Sequence, residues 1–584
     1  LKTPPNYDKY PHVVVEAENK SCVTGWKAIA EKLNASIAAG KKLIVVETYQ
    51  GVLTDELVSN LKGLVKHDVW VDAANALKSE EEILEMTYPD VTDDRIFGYM
   101  TRLDISDYQD KEKLTAVQQK VDLANGVVIV YGIGASLVAP AYDMLVYADM
   151  ARWEIQLRMR KKLVNNIGIS NNQEEFSIQY KRGFFVDWRA LDRLKKKLFN
   201  KIDFVLDTNA AGNPKLVTGE AVLAGYKQTV KQPFRVVPFF DPGPWGGQWM
   251  KDVCDLDHDV MNFAWCFDGV PEENSLLLRF GDIDVEVPSI NVVFYQTNEL
   301  LGPKVHSRFG DEFPIRFDFL DTIQGGNLSL QVHPLTEYIQ EKFGMHYTQD
   351  ESYYFLDVDE AAEPVVYLGL QEGINPDEMI EDLRAAERGE KLFDDEKFVK
   401  KWPIKKHDHV SIPAGTVHCS GTGGMVLEIS ATPYIFTFKL WDWGRLGLDG
   451  KPRPINIEHG KNVIQWDRDA AWVEKNALNL VEPLAEGEGW REERTGLNEL
   501  EFIETRRHWF TGKVSHNTNG GVNVINLVEG REAIVESPTN AFEPFVVHYA
   551  ETFIIPAAVG EYTIRPYGES EGRECGTLKA YVRI

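Results

Sequence analysis

Cysteine is scarce in this chain: its 584 residues contain five, Cys22, Cys254, Cys266, Cys419 and Cys575, widely spaced and without a CxxC pair. That argues against a disulfide framework and against a thiolate zinc knuckle, and it fits a reducing cytoplasm. Long apolar runs are also missing. No stretch of about 18 apolar residues occurs, and Leu1-Lys-Thr-Pro-Pro-Asn-Tyr7 has no apolar signal segment, so no membrane span is expected. Basic residues are in deficit, 63 against 90 acidic ones, for a formal charge of −27. Such a field repels phosphate polymers and anionic membrane surfaces, so neither nucleic acid nor membrane is expected as a partner. A small anionic partner remains allowed, because local Lys, Arg or metal charge overrides the global sign within a Debye length of about 8 Å.

What is present is an ordinary globular balance, 43% hydrophobic and 26% charged, over a length that suggests three or four domains. Residues 1–235 alternate short β-branched runs (His12–Val15, Leu43–Glu47, Val69–Asp72, Val127–Tyr131, Met144–Ala148, Phe204–Asp207) with helical stretches such as Asp55–Val65 and Arg152–Leu163. That rhythm predicts an α/β domain with a parallel sheet. Gly126–Gly132 and Met144–Arg152 resemble the late strands of a nucleoside-kinase-like P-loop domain. The phosphate loop itself is missing: Thr48-Tyr-Gln-Gly-Val-Leu-Thr54 follows the first central strand without a closing Lys-Ser or Lys-Thr. The resemblance therefore implies a degenerate domain without kinase activity. Gly132 and Gly134 read as a tight turn, and Lys195-Lys196-Lys197 as a solvated helix face.

From residue 236 the texture becomes all-β, rich in Pro, Gly and Trp at Pro238–Gly247. One helical insert is expected at 375–401, where Asn375 caps, Pro376 takes the first helical position and Asp377 and Glu378 fill the first turn. Residues 471–584 read as a second, smaller barrel, in which His508, His516 and His548 stand apart from any ligand spacing.

The chemistry concentrates in 236–470. In the extended segment Ser329-Leu-Gln-Val-His-Pro334, side chains alternate, so Ser329, Gln331 and His333 face one side. Glu351 opens the next apolar strand, and Ile412-Pro-Ala-Gly-Thr-Val-His418 brings a second imidazole. Each residue alone reads as a buried, hydrogen-bonded polar group. Together, Gln331, His333, Glu351 and His418 form a ligand set suited to Zn²⁺ and acceptable to Mn²⁺ or Fe²⁺.

These motifs, together with Pro244-Trp-Gly-Gly247, Asn298–Gly302, Phe313–Asp321, Trp441-Asp-Trp-Gly-Arg445 and Asp449-Gly-Lys-Pro-Arg-Pro454, resemble those of class I mannose-6-phosphate isomerases. The resemblance covers about 236–470. It implies a multidomain chain: an α/β domain, then a double cupin (jelly-roll) region made of a catalytic cupin at 236–470 and a cupin-like β domain at 471–584. It further implies one Zn²⁺ per chain, held by Gln331, His333, Glu351 and His418, and isomerisation of a sugar phosphate such as mannose 6-phosphate. Glu428 and Lys439 would be the catalytic groups, and Ser329, Gln349 and Arg445 the positions facing the substrate. Lys439 stands where that family carries Arg, and Gln349 where it carries Lys. These departures leave open a non-catalytic cupin that binds a sugar or nucleotide, or epimerisation of a free sugar. Self-association is compatible with either reading.

Overall fold

The protein is described by a computed structural model covering residues 4–16, 21–432, 436–448, 450, 453–496 and 501–584. The chain forms two compact units, one of His12–Gln228 with Ser275–Tyr295, the other of Leu1–Pro11, Thr229–Asn274 and Gln296–Ile584.

The first unit is the expected α/β structure. Strands Leu43–Thr48, Val69–Asp72, Val128–Gly132, Met144–Asp149 and Phe204–Asp207 run parallel, with spatial order 2-3-1-4-5 in terms of their sequence, and Lys215–Thr218 and Cys22–Thr24 extend one edge antiparallel. Near-continuous apolar runs such as Leu43-Ile-Val-Val46 suit strands covered on both faces. After Leu43–Thr48 the chain passes through Tyr49–Leu53 into the helix Thr54–Leu61, and Arg158 Nη1 donates to the carbonyl of Gly51 at 2.8 Å.

Three expectations need correction here. His12–Val14 is a strand, but it pairs in parallel with Leu277–Arg279 in a separate three-stranded sheet. Of its residues only Val13 is buried, which suits a small half-covered sheet and not one covered on both sides. Residues 275–295, read as part of the all-β region that begins at 236, belong to the α/β unit. Lys195 is not solvated: on the helix Trp188–Leu198 it shares the buried face with Trp188, Leu191 and Leu198, while Lys196 and Lys197 are exposed. Its Nζ lies 2.8 Å from Asp149 Oδ1 and 3.1 Å from Asn291 Oδ1.

The second unit holds two pairs of β-sheets, here called the first and second rolls. In the first, a six-stranded sheet (His409–Ile412, Glu351–Val358, Gly424–Ser430, Arg316–Asp321, Trp265–Gly269, Phe239–Asp241) is matched by a five-stranded one (Val399–Pro403, Val365–Leu370, His418–Ser420, Leu330–Val332, Phe438–Trp441), every pairing antiparallel. The insert begins as expected, with Asn375 Oδ1 accepting from the N–H groups of Asp377 and Glu378 ahead of the helix Pro376–Glu387. It ends at Phe398, because Val399–Pro403 joins the sheet. Short helices the all-β reading did not anticipate also occur, including Pro303–Phe309, started by Pro303 at its first position, and Thr336–Phe343, ended by Gly344 in the left-handed region.

The second roll has a six-stranded and a four-stranded sheet, with a core of Phe510, Ile525, Leu527, Val535, Phe553 and Ile564. The two rolls share a buried charge cluster. Arg235 contacts Asp268 (3.3 Å) of the first roll and Glu551 (2.9 Å) of the second, and Asp268 also accepts from the Thr552 N–H at 2.7 Å. No helix among the described residues is long and apolar enough to cross a membrane.

Removing one member of a buried ion pair strands its partner. Lys195→Ala is expected to cost about 3–5 kcal/mol in urea unfolding, whereas the exposed Lys196→Ala stays within about 0.5 kcal/mol. Equal effects would mean that Lys195 is solvated after all.

Candidate metal centre

Backbone register brings the four expected ligands to one buried point. Gln331 and His418 are direct cross-strand partners in the five-stranded sheet, and His333 lies two residues beyond Gln331, on the same face. Glu351 begins its strand in the other sheet. Its Oε1 lies 3.1 Å from His333 Nε2 and 2.9 Å from His418 Nε2, and ligand atoms of these three residues all fall within 4.8 Å of one another. The Gln331 amide nitrogen is 3.3 Å from His418 Nε2 and 3.4 Å from Tyr353 Oη. A half-turn of that amide would present Oε1 to the same point.

Hydrogen bonds behind the rings fix what they offer. His333 Nδ1 lies 2.9 Å from the Phe436 carbonyl and His418 Nδ1 2.8 Å from the Thr416 carbonyl. Each Nδ1 therefore carries a proton, so that in the neutral ring each Nε2 presents a lone pair toward Glu351. Lone pairs thus face a carboxylate oxygen at a site where His333, His418 and Glu351 are all fully buried. His333 Nε2 and Glu351 Oε1 have no hydrogen-bond partner. Burying acceptors against acceptors is unfavourable unless a cation lies between them, and two imidazoles with one carboxylate fit a divalent ion such as zinc. Without a metal, a proton on one Nε2 does part of the same work. Burial pushes the Glu351 carboxyl up, yet the two imidazoles overcome that and hold it well below the ordinary range. Burial pulls His333 down, but Glu351 reverses the shift and leaves it raised, while burial keeps His418 lowered.

Gln349, expected to face the substrate, is taken up in support of this centre. Its Nε2 donates to Glu351 Oε2 (2.8 Å) and Glu428 Oε1 (3.2 Å), and its Oε1 accepts from the Phe436 N–H (2.7 Å). An amide engaged at both ends positions the two carboxylates and has no donor left for a ligand. Glu428 also accepts from Arg316 Nη1 at 3.3 Å, and Arg316 lies 3.2 Å from Asp318. Burial, reinforced by Asp318 and Glu351, raises the Glu428 carboxyl well above its ordinary range, and burial pushes Asp318 up to about 7.

A basic cluster forms beside the centre. Ser329 Oγ donates to Asp442 Oδ1 (2.8 Å), which Arg445 (2.7 Å) also approaches, and Arg453 reaches Ser329 (3.2 Å) and Asp442 Oδ2 (2.9 Å). Lys439 stands directly across from Gln331 in the sheet, and burial, with Arg453 adding repulsion, pushes its amine down to about 7. Sequence reasoning missed Arg316, Asp318, Tyr353 and Arg453. The first two carried a signal, since Arg316-Phe-Asp-Phe alternates charge with aromatic rings along one strand. Tyr353 follows Glu351 by two, and so shares its face. Arg453 belongs to a motif whose Asp449, Lys451 and Pro452 lie outside the described residues. His346, close by in sequence, is exposed, and Tyr347 packs against Phe309 and Phe502.

Elemental analysis of purified protein should find about one divalent metal per chain, lost in Glu351→Gln. Gln349→Ala, which removes only the support of a ligand, should weaken metal binding about 10–100-fold. Full metal retention in Glu351→Gln would contradict the assignment.

Residues 25–231 match a family model described as Domain of unknown function (DUF8485). Among curated relatives, the chain is 26% identical to Mannose-6-phosphate isomerase ManA of Bacillus subtilis (strain 168) over 262 residues, 44% of this chain and 74% of the relative. It is 23% identical to Mannose-6-phosphate isomerase of Streptococcus mutans serotype c over 321 residues, 54% of this chain and 89% of the relative. Among solved structures, one of the mannose 6-phosphate isomerase from Bacillus subtilis superposes with a TM-score of 0.48 at 17% identity, covering 60% of this chain and 99% of the other.

Proposed function

We propose that the second unit is a metal-dependent aldose–ketose isomerase acting on a sugar phosphate, with mannose 6-phosphate and fructose 6-phosphate as the first pair to test. The observation that carries this reading is the convergence of two imidazole lone pairs on a buried, partnerless carboxylate oxygen, next to a cluster of three cations. Similarity to two curated mannose-6-phosphate isomerases supports the choice of reaction. The proposed ion is Zn²⁺, held by Gln331, His333, Glu351 and His418. When bound, it supplies positive charge that lowers the cost of the enediolate passed through between the aldose and ketose.

The remaining roles fall to the chain's own groups. Lys439, with its amine pushed down to about 7, is matched to accept a proton from one sugar carbon and return it to the next. Glu428, kept neutral by burial beside Asp318 and Glu351, is suited to donate a hydrogen bond to a substrate oxygen. Arg445 and Arg453, gathered on Asp442 next to Ser329, outnumber that single carboxylate and give the phosphate a basic seat within a strongly acidic chain. Lys for Arg at 439 keeps the charge but exchanges a permanently charged fork for a group that titrates. For the α/β unit, the 2-3-1-4-5 strand order and the lysine-free turn after Leu43–Thr48 support a kinase-like domain without phosphoryl transfer. A cytoplasmic location fits five buried, unpaired cysteines.

The test is conversion of mannose 6-phosphate to fructose 6-phosphate, with and without chelator. Turnover is expected to vanish on chelation and return with zinc. Lys439→Met is expected to lose about 10²–10⁴-fold in kcat, whereas Arg453→Ala mainly raises KM. Metal-loaded protein that binds the sugar phosphate without turning it over would leave a binding protein in place of an enzyme.

A further inference from the structure

The second roll contains a cavity of about 500 Å³ that the first barrel's chemistry does not use. Sequence spacing gave no reason to group His508 with His516, yet their rings stand 4.6 Å apart, one on the strand Ile503–Phe510 and the other on Val514–Asn517. Alternation sends Glu504, Arg506 and His508 to the same face, and Arg506 is the cross-strand partner of Lys579, as His508 is of Thr577.

The polar groups at this face are unevenly satisfied. Glu492 is paired with Arg506 (3.0 Å) and approached by His508 Nε2 (3.4 Å), and Glu504 accepts from Arg506 (2.6 Å) and Tyr581 (2.9 Å). Both carboxylates are therefore occupied. Lys579, only 8% exposed, forms no ion pair among the described residues, and its one hydrogen-bond contact is His516 Nδ1 at 3.4 Å. Accepting there, His516 carries its proton on Nε2, and that N–H is buried without a partner. His508 Nδ1 and Thr577 Oγ1 are buried without partners too. With Lys304 and Arg583 at the rim, four cationic side chains face two carboxylates, in a chain whose overall charge is −27.

We propose that this cavity is a second ligand site, one that takes a small hydroxylated oxyanion: its anionic oxygens would meet Lys579 Nζ and His516 Nε2–H, and a hydroxyl would donate to His508 Nδ1. The unpaired ammonium disfavours a metal cation between the two imidazoles, so the same side chains that resemble a ligand pair serve an anion instead. Burial pushes Lys579 down to about 8, and a bound anion would draw it back up. Nothing in this site depends on turnover in the first barrel.

Titration calorimetry on the full chain tests it, with inorganic phosphate and with gluconate as probes, in an Arg445→Ala, Arg453→Ala background that disables the basic cluster of the first barrel. At least one probe is expected to bind with about one site per chain. Affinity should fall at least tenfold in Lys579→Met and in His516→Leu, and stay within about threefold of the background protein in Lys579→Arg. Binding of phosphate alone identifies a phosphoryl group, and binding of gluconate alone a carboxylate. Absence of binding by both probes, or binding unchanged in Lys579→Met and His516→Leu proteins that melt at the background temperature, would overturn the proposal.

Discussion

Three buried acceptors pointed at one another are the constraint around which the first barrel is arranged. Carbonyls of Thr416 and Phe436 hold the Nδ1 protons of His418 and His333, so both Nε2 lone pairs face Glu351 Oε1. A proton on an Nε2 relieves that repulsion in part, and a divalent cation satisfies all three acceptors at once. The wider surroundings follow from it. Gln349 ties Glu351 to Glu428, and Arg316 sits between Glu428 and Asp318, so the row of buried carboxylates is held by one amide and one guanidinium. The same crowding raises Glu428 and Asp318 while Glu351 stays ionised.

Charge of the opposite sign is confined to the neighbouring edge. Lys439 comes to the centre because it is paired in register with Gln331, and the arginines gather because Asp442 anchors them. The ligand set and the basic cluster lie side by side, so under the proposed function a sugar's reacting carbons and its phosphate would meet different groups. That separation agrees with a net acidity that would otherwise repel such a substrate.

Much of the centre was legible because strand alternation is a local rule. Gln331 and His333 share a face by period two alone, and Glu351 and His418 each sit at a strand boundary marked by its flanking residues. The cap at Asn375 and the central strands of the α/β unit were legible for similar reasons. What could not be read depends on register between distant segments. Gln349 looked available to a ligand, but its side-chain hydrogen bonds place it between two carboxylates from different strands. Lys195 looked solvated within a run of three lysines, but the buried side of its helix is set by Trp188 and Leu191 packing inward and by Asp149 waiting opposite. Residues 275–295 read as part of the β-rich region, since a hairpin's own pattern does not say which sheet it will join. His508 and His516 belong to different sheets of the second roll, and no spacing rule connects them.

The most direct measurement is an anomalous difference map collected at the zinc edge from crystals grown with zinc. A single peak is expected between the two imidazoles, about 2.0–2.2 Å from Nε2 of His333, Nε2 of His418 and a Glu351 oxygen, with the Gln331 amide turned to present its oxygen. Absence of a peak there, with the imidazoles rotated so that an Nε2 proton bonds Glu351, would show that the three groups settle their repulsion without a metal, and the isomerase reading would lose its foundation.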